Sequence, residues 1–210
     1  MYHLPYFKEK NFETVVAFMK AHPFAVLTGV SADHKPVATQ VPFLFAERNG
    51  KLVLRGHVMR HTDHHKAFQQ NPHVLALFTG PHTYVSASLY TDPQQGSTWN
   101  YITVQAQGEL SFFEEADLRQ VLRDTTTHFE GGPHTPGAYE NLPEEYIAKL
   151  IKAIVGIEIV VTQIDNVFKL SQNRDEASYD NIINDLNEGT EDARRIAQEM
   201  EERRSQLFKR

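Results

Sequence analysis

Between residues 24 and 112 the chain is a series of short apolar or alternating runs, each closed by a turn signal, and that spacing points to sheet. Phe24 to Val30 is one such run, and Asp33-His34-Lys35-Pro36 reads as the turn after it. Val37 to Phe45 reads as a second strand. Asn49-Gly50 then supplies the positive-φ residues of a tight hairpin, from which Lys51 to His57 returns as a third strand. Val74 to Phe78 reads as a buried strand, and Gly80-Pro81 as a turn into Tyr84 to Ser88. Asp92-Pro93 through Gly96 reads as a loop, and Thr98 to Phe112 as a long strand with Gly108 at a bulge position.

Helical patterning flanks these runs. Phe12, Val15, Val16 and Met19 form one apolar stripe, predicting a helix near residues 9–20 that Pro23 helps to stop. A short helix is predicted over 62–70, with Thr62 or Asp63 as its N-cap and Asn71-Pro72 as its stop. From Glu114 the period changes: Leu118, Val121, Leu122, Thr125 and Phe129 mark an amphipathic helix, and Glu144 to Ile154 a second. Val155 to Val161 reads as one more strand, able to close a barrel. Ser178 to Leu186 and Thr190 to Leu207 are predicted helices. The last shows only Ile196, Met200 and Leu207 as an apolar line, and its blocks Arg194-Arg195, Glu201-Glu202 and Arg203-Arg204 suggest a solvated helix or one docking weakly on a partner. The expectation is an α+β, mainly β fold: a six- to seven-stranded antiparallel split β-barrel with peripheral helices and a helical C-terminal extension. Residues 1–163 form the barrel, with inserted helices at about 114–154, and 164–210 form the extension.

Composition narrows the function classes. The absence of cysteine excludes disulfides, thiolate metal sites and a cysteine nucleophile, and suits a reducing cytoplasm. The first residues show no basic-then-apolar leader, and no run approaches the ~20 apolar residues that span a bilayer, so a cytoplasmic protein without a membrane span is expected. Net charge is −6, from 21 basic and 27 acidic residues, which does not favour a DNA backbone; only the C-terminal basic blocks remain as DNA contacts.

Three polar clusters stand out. Arg55-Gly56-His57-Val58-Met59-Arg60-His61-Thr62-Asp63-His64-His65-Lys66 runs from a strand end through a turn into a helix N-terminus. Free N–H groups and the positive helix end there suit an anion, with charge from Arg60 and Lys66 and donors from His57 and Thr62. A charge-assisted contact contributes ~1.5–3 kcal/mol against ~0.3–1 for the dipole, so the side-chain cations decide affinity. A plain helix cap with solvated basic residues is the structural alternative. His61 and His65, at i and i+4, share a helix face in a metal reading, but zinc needs a third ligand. In the second cluster, Tyr84, Trp99 and Tyr101 alternate with small polar residues, which makes either a half-buried sheet or the wall of a fused-ring pocket. The third, Lys169-Leu170-Ser171-Gln172-Asn173-Arg174, reads as a solvated loop past the last strand. No phosphate loop, nucleophile elbow or paired-carboxylate pattern is present, and no catalytic residue is assigned.

In order along nearly the whole chain, several stretches match a known family. They are Met1-Tyr2 with Pro5, Pro36-Val37-Ala38-Thr39 with Val41-Pro42, Gly56-His57-Val58 with Arg60, Gly80-Pro81-His82-Thr83-Tyr84-Val85-Ser86, Thr98-Trp99-Asn100-Tyr101, Ile154-Val155-Gly156-Ile157 and Lys169-Leu170-Ser171-Gln172-Asn173-Arg174. Together they resemble the PaiB family of FMN-binding negative transcriptional regulators, whose fold is the split barrel shared with pyridoxamine-phosphate oxidases. The resemblance implies a homodimer with FMN at the subunit interface. It places the phosphate at His57, Arg60 and the Thr62-to-Lys66 turn, which includes His64, and the isoalloxazine along the strand carrying Thr39. Trp99 and Asn100 of the partner line the other side. One departure is chemical: the family often has Asn-Pro where this chain has Thr62-Asp63. An aspartate beside a dianionic phosphate repels it, so Asp63 is expected to point away or to weaken binding.

Three functions follow from this reading. The first is an FMN-binding regulator, with DNA as a weakly supported partner. The second is an FMN-dependent oxidoreductase, in which the cofactor carries the reaction and His57, His82 or Tyr84 orients substrate. The third is a haem-binding split barrel, suggested by the 11 histidines, with His134 as the candidate ligand.

Overall fold

The structure, a computed structural model, describes residues 1–2, 4–113 and 115–208. The expected helix start at Glu114 and the last two residues of the extension, Lys209 and Arg210, lie outside them, as does His3. Among the described residues seven strands form one sheet: β1 (Phe24–Val30), β2 (Pro36–Pro42), β3 (Leu44–Arg48), β4 (Lys51–Met59), β5 (His73–Val85), β6 (Thr98–Phe113) and β7 (Ile154–Lys169). Their order in the sheet is β2-β1-β5-β6-β7-β4-β3. The pairs β1–β2, β1–β5, β3–β4 and β4–β7 run antiparallel. Six helices accompany them: α1 (Phe12–Ala21), α2 (Asp63–Gln70), α3 (Glu115–Glu130), α4 (Glu144–Ala153), α5 (Glu176–Asn187) and α6 (Glu191–Leu207). This is the mainly β barrel expected from the strand spacing, in the split-barrel form that the family resemblance implies.

The chain gathers into two compact units, each discontinuous in sequence. One comprises Met1–Phe18, Thr79–Val104 and Asp165–Arg210; the other comprises Met19–Phe78 and Gln105–Ile164.

The larger unit holds β1 to β4 and the packed side chains that set their register. Asn49 (φ 52°) and Gly50 (φ 72°) make the predicted hairpin, with Arg48 opposite Lys51. The strand expected from Val37 to Phe45 is two strands. At Phe43 the chain leaves β1 for β4: its N–H donates to the Pro23 carbonyl (2.9 Å) and its ring is buried against Phe78. Pro42, which has no N–H to give a ladder, ends β2 at that switch. Gly108 is not needed for a bulge. A Cβ there would lie 2.5 Å from the Val160 carbonyl oxygen, so glycine lets β7 approach β6. A second close approach occurs at Gly156, where the Phe113 ring takes the space of a side chain. That ring packs on Leu118, Leu122, Ile147 and Ile151, which seat α3 and α4.

The smaller unit corrects two expectations. Gly80-Pro81 is not a turn, because β5 continues unbroken to Val85, and proline's fixed φ is compatible with an extended chain. The helix α6 is not solvated. Its small residues Ala193 and Ala197 complete a buried stripe with Ile196 and Met200 that packs on α5. Arg204 then clamps α5 from the side, donating to Asp180 (2.6 and 2.7 Å) and Glu176 (2.7 Å). The Tyr179 hydroxyl donates to the Met200 carbonyl (2.9 Å), and burial drives its pKa far up.

Candidate functional site

In the larger unit the chain turns a sharp corner between β4 and α2. After Met59 it passes through Arg60 and a left-handed His61 (φ 64°) before Thr62 opens the helix. Thr62 is the N-cap, as predicted: its hydroxyl accepts from the His65 N–H (3.3 Å) and donates to the Met59 carbonyl (3.0 Å). The His64 N–H is held by Asp63 Oδ1 (2.7 Å), and the His61 N–H by His65 Nδ1 (3.1 Å). The helix end is therefore capped by its own side chains, and the expectation of outward-pointing free N–H groups is corrected on this point. His61 precedes the helix, yet its ring lies 6.3 Å from that of His65, as the spacing predicted. Among the described residues no three metal-ligating side chains are grouped.

What the corner does present is side-chain chemistry. The Arg60 N–H donates to the Ala153 carbonyl (2.9 Å) and its Nε to the Ile154 carbonyl (2.7 Å). These bonds anchor the guanidinium where α4 passes into β7. His57, on β4 opposite Gly156, is half-buried, and burial holds its imidazole pKa below the usual 6.5. At neutral pH it is an uncharged donor. His64 is turned toward Asp63 (Nδ1 to Oδ1, 3.1 Å), and Lys66 is exposed one turn along α2. Asp63 stays ionised, its pKa lowered first by the His64 N–H. Thr39 sits half-buried on β2, opposite Leu27, and α2 packs against β1 and β2. Six of the eight expected site residues therefore belong to this one unit.

Trp99 and Asn100 belong to the smaller unit and differ sharply from each other. Trp99 is 53% exposed, with the rings of His82 and Tyr84 each 6.0 Å from its own. Asn100 is fully buried: its Oδ1 accepts from Ser171 Oγ (3.1 Å) and its Nδ2 faces Met200 Sδ (3.5 Å). The Lys169 ammonium donates to Trp99 O (2.7 Å) and to Thr98 Oγ1. Burial, followed by the nearby Arg174 charge, lowers its pKa. The Lys169-to-Arg174 stretch is thus no solvated loop. Lys169 is the last residue of β7, Leu170 and Ser171 are buried, and they fix the backbone that displays Trp99. Sequence reading missed Lys169 and Ser171 as positioning residues. The available signal was the strand-compatible run that continues past Val161. His134 is exposed in the loop after α3.

The likeness of this chain to known proteins fits that geometry. Residues 1–163 match the family described as "Putative FMN-binding domain". The chain is 32% identical over 204 residues to Protease synthase and sporulation protein PAI 2 of Bacillus subtilis, covering 97% of this chain and 98% of that protein. Among solved structures it shares its fold with the flavocytochrome Anf3 of Azotobacter vinelandii. There the TM-score is 0.57 and the identity 18%, over 80% of this chain and 72% of that one. The conserved hypothetical protein Rv2991 of Mycobacterium tuberculosis aligns with a TM-score of 0.53 and 16% identity, over 77% of this chain and 87% of that one. These matches show that the chain belongs to the FMN-binding domain family, is of the PaiB type, and has FMN as its cofactor.

Proposed function

We propose that the chain works in the cytoplasm as a homodimeric FMN-binding regulator of the PaiB type, with the flavin phosphate held at the corner between β4 and α2. The observation that carries this reading is Arg60, held by its backbone N–H on the Ala153 carbonyl and by its guanidinium Nε on the Ile154 carbonyl, in a chain of the FMN-binding domain family. The residues fit the group. Arg60 and Lys66 supply positive charge, and neutral His57 supplies a donor. Among the described residues, the carboxylate at the corner, Asp63, is turned onto His64. Because the His64 and His65 N–H groups are held by Asp63 and Thr62, the phosphate contact would fall mostly to Arg60, Lys66 and His57, each charge-assisted bond contributing ~1.5–3 kcal/mol. Thr39 on β2 would lie toward the ring system, and Trp99 of a second copy would cover its other side. Asn100, committed to Ser171, acts in this scheme by holding Trp99's strand. When bound, FMN supplies one- or two-electron redox chemistry.

A second copy is supported by the exposed aromatic pair Tyr84 (54%) and Trp99 (53%) in the smaller unit. The regulatory role is part of the same reading, but α6 offers it little basic surface. Arg195 pairs with Glu191, Arg203 with Glu9 and Glu199, Arg204 with Glu176 and Asp180, and Arg194 donates to the Gly189 carbonyl. No helix among the described residues is long and apolar enough to cross a membrane.

The test is the visible spectrum of the purified protein and of Arg60→Ala. Wild type should show oxidised-flavin bands or acquire them on FMN addition. Arg60→Ala, with an unchanged far-ultraviolet circular dichroism spectrum, should bind FMN at least about tenfold more weakly, the loss of one charge-assisted contact. A colourless wild-type protein that ignores added FMN sinks the reading.

A further inference from the structure

A second cavity of about 430 Å³ lies in the larger unit, against β3, β4 and α3, and none of its residues is among those assigned to the flavin. Its apolar wall is continuous in sequence: Phe43, Leu44, Phe45 and Ala46. Facing that wall is Arg55, whose hydrogen-bonding state is unusual. Its Nε lies 3.3 Å from Glu158 Oε2 but is buried without a hydrogen-bond acceptor. Glu158 already receives two bonds from Arg48, at 2.6 and 2.8 Å, and this bidentate pair occupies both carboxylate oxygens. Arg55 is left with an ion pair off the hydrogen-bonding line and a seat 5.0 Å over the Phe113 ring. A guanidinium carries five donors in a planar fork that matches a carboxylate. The buried Nε is out of a ligand's reach, but Arg55 lines the cavity and its remaining donors can meet an incoming acceptor there.

The rest of the lining agrees in sign. Lys20 adds a second cation, and the one carboxylate present, Asp124, already accepts from Gln120 (2.7 Å). A chain of net charge −6 therefore holds a small concave site with two cations against one acid. The volume is within the ~300–1,000 Å³ typical of small-molecule sites. We propose that this cavity binds a small aromatic carboxylate, with its carboxylate on Arg55 and Lys20 and its ring against the Leu44, Phe45 and Ala46 wall. The proposal stands apart from the flavin reading, because a ligand here touches neither Arg60 nor Thr39.

The experiment uses the full chain saturated with FMN and titrates 2-naphthoate, followed by the probe's own fluorescence. Its uncharged amide, 2-naphthamide, is run in parallel. Saturable binding of one naphthoate per chain is expected, with the amide at least about tenfold weaker, the equivalent of one lost charge-assisted contact. Arg55→Met should weaken naphthoate by a similar factor and Arg55→Lys by less, while FMN affinity stays unchanged in both. Because Arg55 also neighbours buried Glu158, Ala46→Phe gives an independent arm. It adds bulk from an exposed strand position and should block the cavity without disturbing the fold. The proposal fails if naphthoate does not bind, if it displaces FMN, if the amide binds equally well, or if neither Arg55→Met nor Ala46→Phe weakens it.

Discussion

The corner after β4 and the first residues of β6 are both polar stretches in a largely apolar sheet, and they are held by opposite means. At the corner the cap bonds are short-range and often involve backbone, Thr62 to Met59 and His65 and Asp63 to His64, and Arg60 alone reaches far along the chain, to the carbonyls of Ala153 and Ile154. At the start of β6 the bonds come from buried side chains distant in sequence. Lys169 reaches Thr98 and Trp99, and Ser171 reaches Asn100, 71 positions away. The first arrangement keeps charged and polar side chains, Asp63 and Lys66 among them, at the surface. The second uses its polar groups up on itself and leaves only an aromatic ring on show. A surface site thus tolerates loss of one bond, while a buried network does not, because each broken pair strands a partner away from water.

The sharpest way to break that contrast is Asn100→Leu. It leaves the buried Ser171 hydroxyl without its acceptor and should cost about 2 kcal/mol, read by urea denaturation. Adding Ser171→Ala removes the stranded partner, so the double variant should recover part of that loss. If Asn100→Leu alone is neutral, the network is not what holds the strand. At the corner, Thr62→Ala removes the cap of α2 and should cost about 1 kcal/mol, with Thr62→Ser close to wild type. A larger loss at Thr62 than at Asn100 would reverse the comparison.

The same contrast explains what could be read from the residues alone. The α2 boundaries, the Thr62 cap and the Asn49-Gly50 hairpin depend on neighbours within a few positions, and their chemistry is written locally. Arg60, His57 and Lys66 fall in the same short stretch, so a candidate anion site was visible there. Gly80-Pro81 has the composition of a turn, yet β5 passes straight through it, because pairing along a long strand outweighs local preference. Phe43 ends β2 for a reason found at Pro23 and Phe78, and Lys169 is buried for a reason found at Thr98. Ala193 and Ala197 were passed over in α6, since small residues complete an apolar stripe only when the facing helix comes close. Arg55 stood inside the first polar cluster without a role. Its place beside Glu158, which Arg48 holds from the adjacent strand, is a matter of strand pairing and not of neighbouring sequence.

A weaker effect separates the regions by pH. Burial lowers the His57 pKa in the folded chain below its unfolded value of 6.5. Below that pH the unfolded chain binds the proton more readily, so this residue's contribution to stability is complete above about pH 6.5 and is lost as pH falls toward the folded pKa. Thermal unfolding from pH 7.5 to 5 should show this loss in wild type and a smaller one in His57→Gln. Parallel curves for the two proteins would mean that His57 is not desolvated.

The smallest expected change bears most directly on what the corner binds. Asp63 is 79% exposed at its side chain and ionised, while its Oδ1 accepts from the His64 N–H. An asparagine amide keeps an oxygen for that bond, so Asp63→Asn removes a charge while preserving the local cap. A phosphate bound nearby then loses a repulsive neighbour, and FMN should bind roughly threefold more tightly at low salt. The gain should vanish near 1 M salt, where the screening length falls to ~3 Å. Thr62→Ala, by contrast, should change FMN affinity in the same proportion at both salt concentrations, because it acts through helix order rather than charge. Equal affinity of wild type and Asp63→Asn at low salt would mean that no anion is seated beside this carboxylate, and the corner would be a well-capped helix start whose basic residues serve only solvent.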